Sequence, residues 1–120
     1  ETIIPVTMTV TAVNADNGTV PQVTKLGLNY PNPFILSGHN RNAKVNLRYQ
    51  LAENSKVTLD IYNIRGQNVK TLLNASVDAG YHSVNWDGKD EYGKPVSSGI
   101  YFYKMNAGDY SKIRKMIIIR

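Results

Sequence analysis

Hydrophobic and polar residues alternate along most of this chain with the two-residue period of β-strands. The alternation is regular from residue 45 onward, where small groups of Gly, Asn, Asp and Ser interrupt it and favour turns. No stretch shows a convincing helical period. About seven short strands, spaced roughly ten residues apart, predict an all-β protein with an antiparallel β-sandwich of the immunoglobulin-like type. The regular strands are expected at 45–51, 57–62, 69–73, 81–86, 100–105 and 110–119.

The stretch from Val84 to Met105 is predicted to hold two core strands joined by two turns. Trp86 is the only tryptophan, and burying its side chain would contribute at most about 4–6 kcal/mol. Tyr101 lies in a strand that is apolar on both faces, which predicts a central strand covered on both sides. Three glycines in the connection are expected to include residues with positive φ: Gly88, Gly93 and Gly99.

The N-terminal part of the chain is less regular. Residues 1–13 include an alternating strand, read as the last strand of an upstream domain or an added edge strand. Residues 14–27 are predicted to be a linker, and residues 28–120 the sandwich itself. The prolines in 29–34 exclude a helix or a central strand, so this segment is expected to be an extended lead-in. Its apolar side chains would hold it against the sandwich: Leu28, Tyr30 and Phe34.

Composition restricts the function classes. A chain of 120 residues fits one domain, and the absence of cysteine excludes disulfides and thiolate metal sites. No apolar run approaches the ~20 residues of a membrane span, so membrane insertion is not expected. The net charge is +5, but the Lys and Arg residues are scattered, and nucleic-acid binding is not predicted. No export signal is visible at the start, so a signal of an exported protein would lie upstream.

The residues give little support to catalysis. Asp87, Asp90 and Glu91 lie within five positions and are weak candidates for Ca²⁺ binding or acid–base chemistry. Their spacing does not match an EF-hand, and aspartates beside a turn glycine usually bond to their own backbone. His39 and His82 are the only histidines, and His82 lies near a strand end on the face of Trp86, which favours a semi-buried structural role. No nucleophile elbow is present. We therefore predict neither enzymatic activity nor a cofactor.

Several sequence blocks occur together in one order. They are Asn-Tyr-Pro-Asn-Pro-Phe (29–34), Val-Thr-Leu-Asp-Ile-Tyr-Asn-Ile-Arg-Gly-Gln (57–67), Ala-Gly-Tyr-His (79–82), Trp-Asp-Gly-Lys-Asp (86–90) and Ser-Gly-Ile-Tyr-Phe-Tyr (98–103). In these blocks the chain resembles the type A C-terminal sorting domain of the type IX secretion system of Bacteroidota. That family is similar to the immunoglobulin-like domain of the flagellar hook-capping protein.

The resemblance implies a non-catalytic domain that directs an exported cargo protein to the cell surface or the medium. Its partners would be the N-terminal cargo domain, the outer-membrane translocon and the associated processing machinery. The domain would fold in the periplasm, and processing could occur in the linker. The alternatives are a structural immunoglobulin-like spacer or assembly module, and a β-sandwich that binds carbohydrate or calcium through the turn around Asp87 and Tyr92.

The last strand is where fold and function are expected to meet. Ile117, Ile118 and Ile119 are consecutive, which predicts a strand that is covered on both faces or clasped by neighbouring strands. Charged residues flank this aggregation-prone segment. The resemblance implies recognition through the final strand and its basic end, and four residues are the predicted translocon contacts: Lys112, Arg114, Lys115 and Arg120.

Overall fold

The computed structural model describes residues 20–36 and 43–120. These residues contain eight β-strands, which form two sheets. The strands are β1 (Lys25–Tyr30), β2 (Phe34–Ile35), β3 (Val45–Leu51), β4 (Ser55–Tyr62), β5 (Asn68–Val77), β6 (Gly80–Trp86), β7 (Gly99–Ala107) and β8 (Tyr110–Ile119). This architecture confirms the predicted all-β sandwich. The predicted strand within 1–13, residues 14–19 of the linker and His39 lie outside the described residues.

The two sheets differ in size. One has three strands in the order β1-β3-β6, and the other has five in the order β2-β8-β7-β4-β5. All pairings are antiparallel except that of β2 with β8, which is parallel. Among the described residues, none lies in a helix long and apolar enough to cross a membrane.

The core lies between the sheets and follows from the alternation in the sequence. Each regular strand turns every second side chain inward, so the apolar face of one sheet packs on that of the other. Trp86, at the end of β6, is 1% exposed and is the largest of the fully buried side chains. The others come from both sheets: Leu26, Phe34, Val45, Leu47, Leu51, Leu59, Ile61, Tyr103, Met105, Met116 and Ile118.

Two strands extend beyond their predicted limits. β5 continues to Val77, although residues 74–80 are expected to be a loop, and its end pairs with Ser55 of β4. β5 is an edge strand with two register irregularities, which hide the alternation that a sequence pattern relies on. β1 begins at Lys25, three positions before the predicted start of the domain at residue 28. The division into linker and domain stays a prediction.

The lead-in segment is extended at both ends and bends at residues 31–33, and its side chains point differently from the prediction. Phe34 is buried as expected, whereas Leu28 and Tyr30 are exposed. The reason is a register shift in β1 between Leu26 and Asn29, which turns Asn29 inward in place of its apolar neighbours. The prediction that all three apolar residues hold the segment against the sandwich is therefore wrong for two of them. β1 is an edge strand, in agreement with the prolines that follow it at positions 31 and 33.

Candidate interaction surface on the terminal strand

The terminal strand β8 is hydrogen-bonded along both of its edges. β7 runs antiparallel along one edge, and β2 pairs in parallel with Ile118 and Ile119 on the other. The Ile117 amide donates to Asn32 Oδ1 at 3.2 Å, and the Leu36 amide donates to the Ile119 carbonyl at 2.6 Å. The proline-containing segment and the last strand, from opposite ends of the domain, are therefore in direct contact. We call this arrangement of residues 32–36 and 116–119 the terminal-strand unit.

The two faces of β8 have different environments. Met116 and Ile118 are buried in the core, whereas Ile117 is 40% exposed and Ile119 is 43% exposed. Of the two expected arrangements, cover on both faces is therefore wrong, whereas neighbouring strands do clasp the end of β8 on both edges. The described residues form two layers, so no third layer covers the outward face of the five-stranded sheet. The same correction applies to β7, because its outward Ile100 is also exposed.

The outward isoleucines of three neighbouring strands lie on one face of the five-stranded sheet, and we call this set the outer stripe. Its members are Ile35 of β2, Ile100 of β7, and Ile113, Ile117 and Ile119 of β8. In the strand register Ile35 lies opposite Ile119, and Ile100 lies opposite Ile117, so their side chains are neighbours. Contiguous exposed apolar surface of this kind marks interaction sites in soluble proteins. The isoleucines of β8 in this set can be recognised from the sequence, because residues 113, 117 and 119 lie on the same face of a strand.

Basic side chains accompany the outer stripe. Lys115 lies on the same face of β8, between Ile113 and Ile117, and opposite Phe102. Lys104 of β7 lies opposite Ile113 and is a second cation on this face. Lys104 is far from the terminal strand in sequence and becomes its neighbour only through the pairing of β7 with β8, so the sequence alone did not indicate it.

The other predicted recognition residues are placed elsewhere. Lys112 and Arg114 occupy the opposite face of β8 from Lys115. Arg120 follows the end of β8, about 17 Å along the strand from Lys115. Its backbone amide donates to Ser98 Oγ at 2.9 Å. The structure thus divides the four residues among different positions, and their recognition by a translocon stays a prediction.

Arg114 has a structural contact that links the two sheets. Its Nε donates to the Leu26 carbonyl of β1 at 2.8 Å, and Tyr103 Oη donates to the Gly27 carbonyl at 3.0 Å. Burial raises the pKa of the Tyr103 phenol, while a hydrogen bond at Asn29 and the charge of Arg114 act in the opposite direction. The side chain of Arg114 therefore holds β1 against the five-stranded sheet.

The turn region, residues 87–98, connects β6 to β7 and is organised by Trp86. Trp86 Nε1 donates to the Lys89 carbonyl at 2.9 Å, and its ring meets Tyr101 edge to face with centroids 6.2 Å apart. Tyr101 Oη donates in turn to the Ser97 carbonyl at 2.8 Å. Burial raises the pKa of Tyr101, and the bond to Ser97 partly opposes that shift. One tryptophan and one tyrosine thus fix both ends of the turn region.

The aspartates of the turn region bond to their own backbone. Asp87 Oδ1 accepts from the Lys89 amide at 3.1 Å. Asp90 Oδ1 accepts from the Tyr92 amide at 2.9 Å and the Lys94 amide at 3.0 Å. These are the contacts expected of aspartates in turns.

Glu91 points to a neighbouring strand instead. Its Oε2 accepts from the Thr71 amide at 3.1 Å, and its Oε1 lies 3.5 Å from Lys70 Nζ, both residues being in β5. Across residues 20–36 and 43–120, no group of three or more His, Cys, Asp or Glu side chains is arranged to hold a metal ion. In the structure, the contacts of these acidic residues stabilise the turn region.

The glycines of the connection have the conformations expected from the sequence. Gly88 has φ 78°, Gly93 has φ 81° and Gly99 has φ 154°. Gly88 also packs closely against Leu36, because a Cβ at this position would lie 2.6 Å from Leu36 Cδ1 and that side chain would have to move. The turn region therefore packs directly on the segment that follows β2.

His82 has a structural environment. Its ring stacks on Tyr49 of β3 with centroids 5.3 Å apart, and its Nε2 lies 2.7 Å from the Asp78 carbonyl. The side chain is half-buried at the start of β6. These contacts agree with the structural role predicted for it.

Comparison with a family model identifies the domain. The model for the FlgD Ig-like domain matches residues 35–111, which is more than half of the chain. The chain belongs to the FlgD Ig-like domain family. FlgD-like Ig domains are non-catalytic structural modules, and no catalytic family is indicated for this chain. A comparison with curated proteins gave no match.

Solved structures show the same fold at low sequence identity. PorZ, a surface component of the type IX secretion system of Porphyromonas gingivalis, is 19% identical with a TM-score of 0.54, over 78% of this chain and 11% of PorZ. Dimeric latent PorU from P. gingivalis is 20% identical with a TM-score of 0.59, over 89% of this chain and 10% of PorU. FlgD from P. aeruginosa is 19% identical with a TM-score of 0.51, over 81% of this chain and 74% of that chain.

These likenesses establish the fold, because all three identities are low. The chain spans only about a tenth of the length of the PorZ and PorU chains, so it corresponds to one domain of proteins that are much larger. In FlgD it corresponds to most of the chain in the structure. The immunoglobulin-like sandwich is thus shared by proteins of different overall organisation.

Proposed function

We propose that this domain is a C-terminal sorting domain that directs an exported cargo protein through the type IX secretion system to the cell surface or the medium. The observation that carries the proposal is the terminal-strand unit. Two regions emphasised by the resemblance, residues 29–34 and the final strand, are far apart in sequence, and Asn32 and Phe34 pair directly with the residues around Ile118. The type IX association of PorZ, which has a similarly folded domain, adds support.

The terminal-strand unit gives the proposed signal a defined shape. Pairing with β2 covers the second edge of β8 at Ile118 and Ile119, so at this end of the strand a partner would meet side chains rather than an open strand edge. Those side chains are the outer stripe with Lys115 and Lys104. The translocon would therefore recognise a folded surface, with Arg120 at its end. The cargo would lie N-terminal to the sandwich, and the processing machinery would act in the linker before it.

A reporter fusion tests this proposal. The whole chain, fused behind a fluorescent cargo with an export signal, should carry that cargo to the surface of a type IX-competent host. Deleting residues 116–120 removes Met116 and Ile118 from the core and should both loosen the fold and leave the cargo in the periplasm. Cell fractionation with surface proteolysis measures the location. A truncated fusion that still reached the surface would contradict the proposal.

A charge reversal separates recognition from folding. Lys115→Glu combined with Arg120→Glu changes two exposed side chains, so the melting temperature should move by only a few degrees. Export of the fusion should nevertheless fall. Lys56→Glu with Arg65→Glu is the matched control, since both side chains are exposed and lie outside β8 and the residue that follows it. Equal export of the two double variants would show that the basic residues of the terminal strand are not recognised.

A second function, an immunoglobulin-like spacer or assembly module, is favoured by the family match and by the extent of the likeness to FlgD. The spacer hypothesis predicts that the domain supports assembly from any position in a protein. A sorting signal, in contrast, has to stand at the C-terminus. Moving the domain to the middle of the reporter therefore distinguishes the two functions: export should stop if the domain is a sorting signal.

A further inference from the structure

The outer face of the three-stranded sheet carries a groove that the proposed export role does not use. It encloses about 650 Å³ and crosses all three strands. Tyr30 of β1 and Tyr81 of β6 stand at its two ends, 73% and 62% exposed. Arg48 and Gln50 of β3 line the middle. A second, smaller depression adjoins it at Arg48 and Tyr81, so the concave surface continues across β6.

A glycine and a register shift keep this groove open. A Cβ on Gly27 would lie 3.6 Å from Arg48 Cβ and 3.0 Å from the Arg48 carbonyl, so any side chain there would fill the space beside Arg48. The register shift in β1 turns Leu28 and Tyr30 out of the sandwich, where they form one wall. The floor is therefore low and polar, while the wall is apolar and aromatic.

The two tyrosines are spaced for an extended ligand. In the register Tyr30 lies in line with Asn46, and Tyr81 lies in line with Gln50. Four residues along β3 and two strand spacings separate the tyrosines by about 16 Å, the length of about three pyranose rings. Tyrosine presents an apolar ring face together with a polar hydroxyl, which suits the alternating C–H and O–H surfaces of a sugar.

The charge of the groove favours an anion. Lys25 and Arg48 are among its lining residues, and none of the lining residues is acidic. Among the described residues, the one ion pair is that of Lys70 with Glu91, so the guanidinium of Arg48 has no carboxylate partner there. An arginine fork binds a carboxylate through two parallel hydrogen bonds. Gln50 Nε2 is held by the Val23 carbonyl at 2.9 Å, which leaves its Oε1 to accept from a hydroxyl.

We propose that this groove is a binding site for an acidic oligosaccharide, with sugar rings on Tyr30 and Tyr81 and a uronate carboxylate on Arg48. A folded protein partner fits less well, because the apolar area of the groove is far smaller than the area that one partner buries in a stable protein interface. The proposal is independent of the export role. It also differs in place from the carbohydrate site considered at the turn region, which lies beyond the other end of β6.

Titration of the purified, isotope-labelled chain with trigalacturonate, followed by backbone NMR and calorimetry, tests the proposal. The amide signals of Tyr30, Arg48 and Tyr81 should shift together. The methyl ester of the same trisaccharide keeps its shape and loses its charge, and it should bind about tenfold more weakly. Arg48→Gln and Tyr81→Ala should each weaken trigalacturonate binding by about tenfold or more.

Two matched variants act as controls. Arg65→Gln removes an exposed arginine from a loop, and Tyr92→Ala removes a tyrosine that is more exposed than Tyr81. Both should bind trigalacturonate as the unaltered chain does. Equal melting temperatures for all four variants would show that the losses come from the groove. Losses of equal size in the control variants would mean that the binding is a general charge effect, and the site would be rejected.

Two further outcomes would overturn the proposal. No binding of trigalacturonate at about 10 mM would exclude a specific site. Tighter binding of a hexaglutamate peptide, with the same dependence on Arg48 and Tyr81, would make the groove a site for an acidic peptide instead.

Discussion

The turn region and the terminal strand both combine charged and apolar residues, yet the structure uses them in opposite ways. In the turn region the carboxylates of Asp87, Asp90 and Glu91 all accept hydrogen bonds from backbone amides of this domain. On the terminal strand, Ile117 and Ile119 stay partly exposed beside Lys115. One region has its polar groups satisfied internally, and the other leaves apolar surface available.

This difference shows how to weigh clusters in a sequence. A dense acidic group attracts attention as a metal or catalytic site, but short spacing beside glycines also suits turn formation. An isoleucine-rich strand suggests a buried core, but a two-layer sandwich buries only one face of each strand. In this domain the polar cluster stabilises the fold, and the apolar strand supplies the candidate interaction surface.

The largest expected effect comes from the residue that organises the turn region. Trp86→Ala should lower the free energy of unfolding by about 3–5 kcal/mol, because it empties a buried site and removes the bond to the Lys89 carbonyl. That is a large part of the 5–15 kcal/mol typical of a domain. Urea denaturation measures the change. Tyr92→Ala in the same region is the control and should stay within about 0.5 kcal/mol, since Tyr92 is almost fully exposed. Similar values for both variants would contradict the role given to Trp86.

The second prediction separates backbone strain from packing. Gly88 and Gly93 have almost the same positive φ, but only Gly88 has a neighbour where a side chain would stand. Gly93→Val should cost about 1–2 kcal/mol for the strained backbone alone. Gly88→Val should cost about 1–3 kcal/mol more, because its side chain would overlap Leu36. If both variants lose the same stability in thermal unfolding, Leu36 moves aside for the new side chain at no cost in free energy.

Much of the fold could be predicted from the sequence, because alternation is a local signal. β3 and β8 have the predicted limits, and Trp86 is buried. The errors fall where pairing overrides the local pattern. β5 is irregular, and the shift in β1 puts Asn29 inside and Leu28 outside. Neither irregularity can be read from the residues, because each depends on the partner strand.

The candidate site was less predictable than the fold. The sequence indicated the terminal strand and its basic residues, but the contact of Arg114 with the Leu26 carbonyl depends on which strand packs against β8. Lys104 becomes relevant only through its position opposite Ile113. The groove between Tyr30 and Tyr81 joins residues fifty positions apart, so no local motif could indicate it.

The smallest expected effect on stability tests the terminal strand most directly. Ile117→Thr keeps a β-branched side chain on an exposed face, so the free energy of unfolding should change by about 0.5 kcal/mol or less. The neighbouring change Ile118→Thr is the matched control. It places a hydroxyl in the core and should cost about 2–3 kcal/mol. In the reporter fusion, Ile117→Thr should reduce export although its melting curve is unchanged, because the translocon would lose part of the outer stripe. Export that follows stability instead, falling for Ile118→Thr and staying normal for Ile117→Thr, would show that the terminal strand serves folding alone. The apolar residues on its outward face would then have no part in recognition.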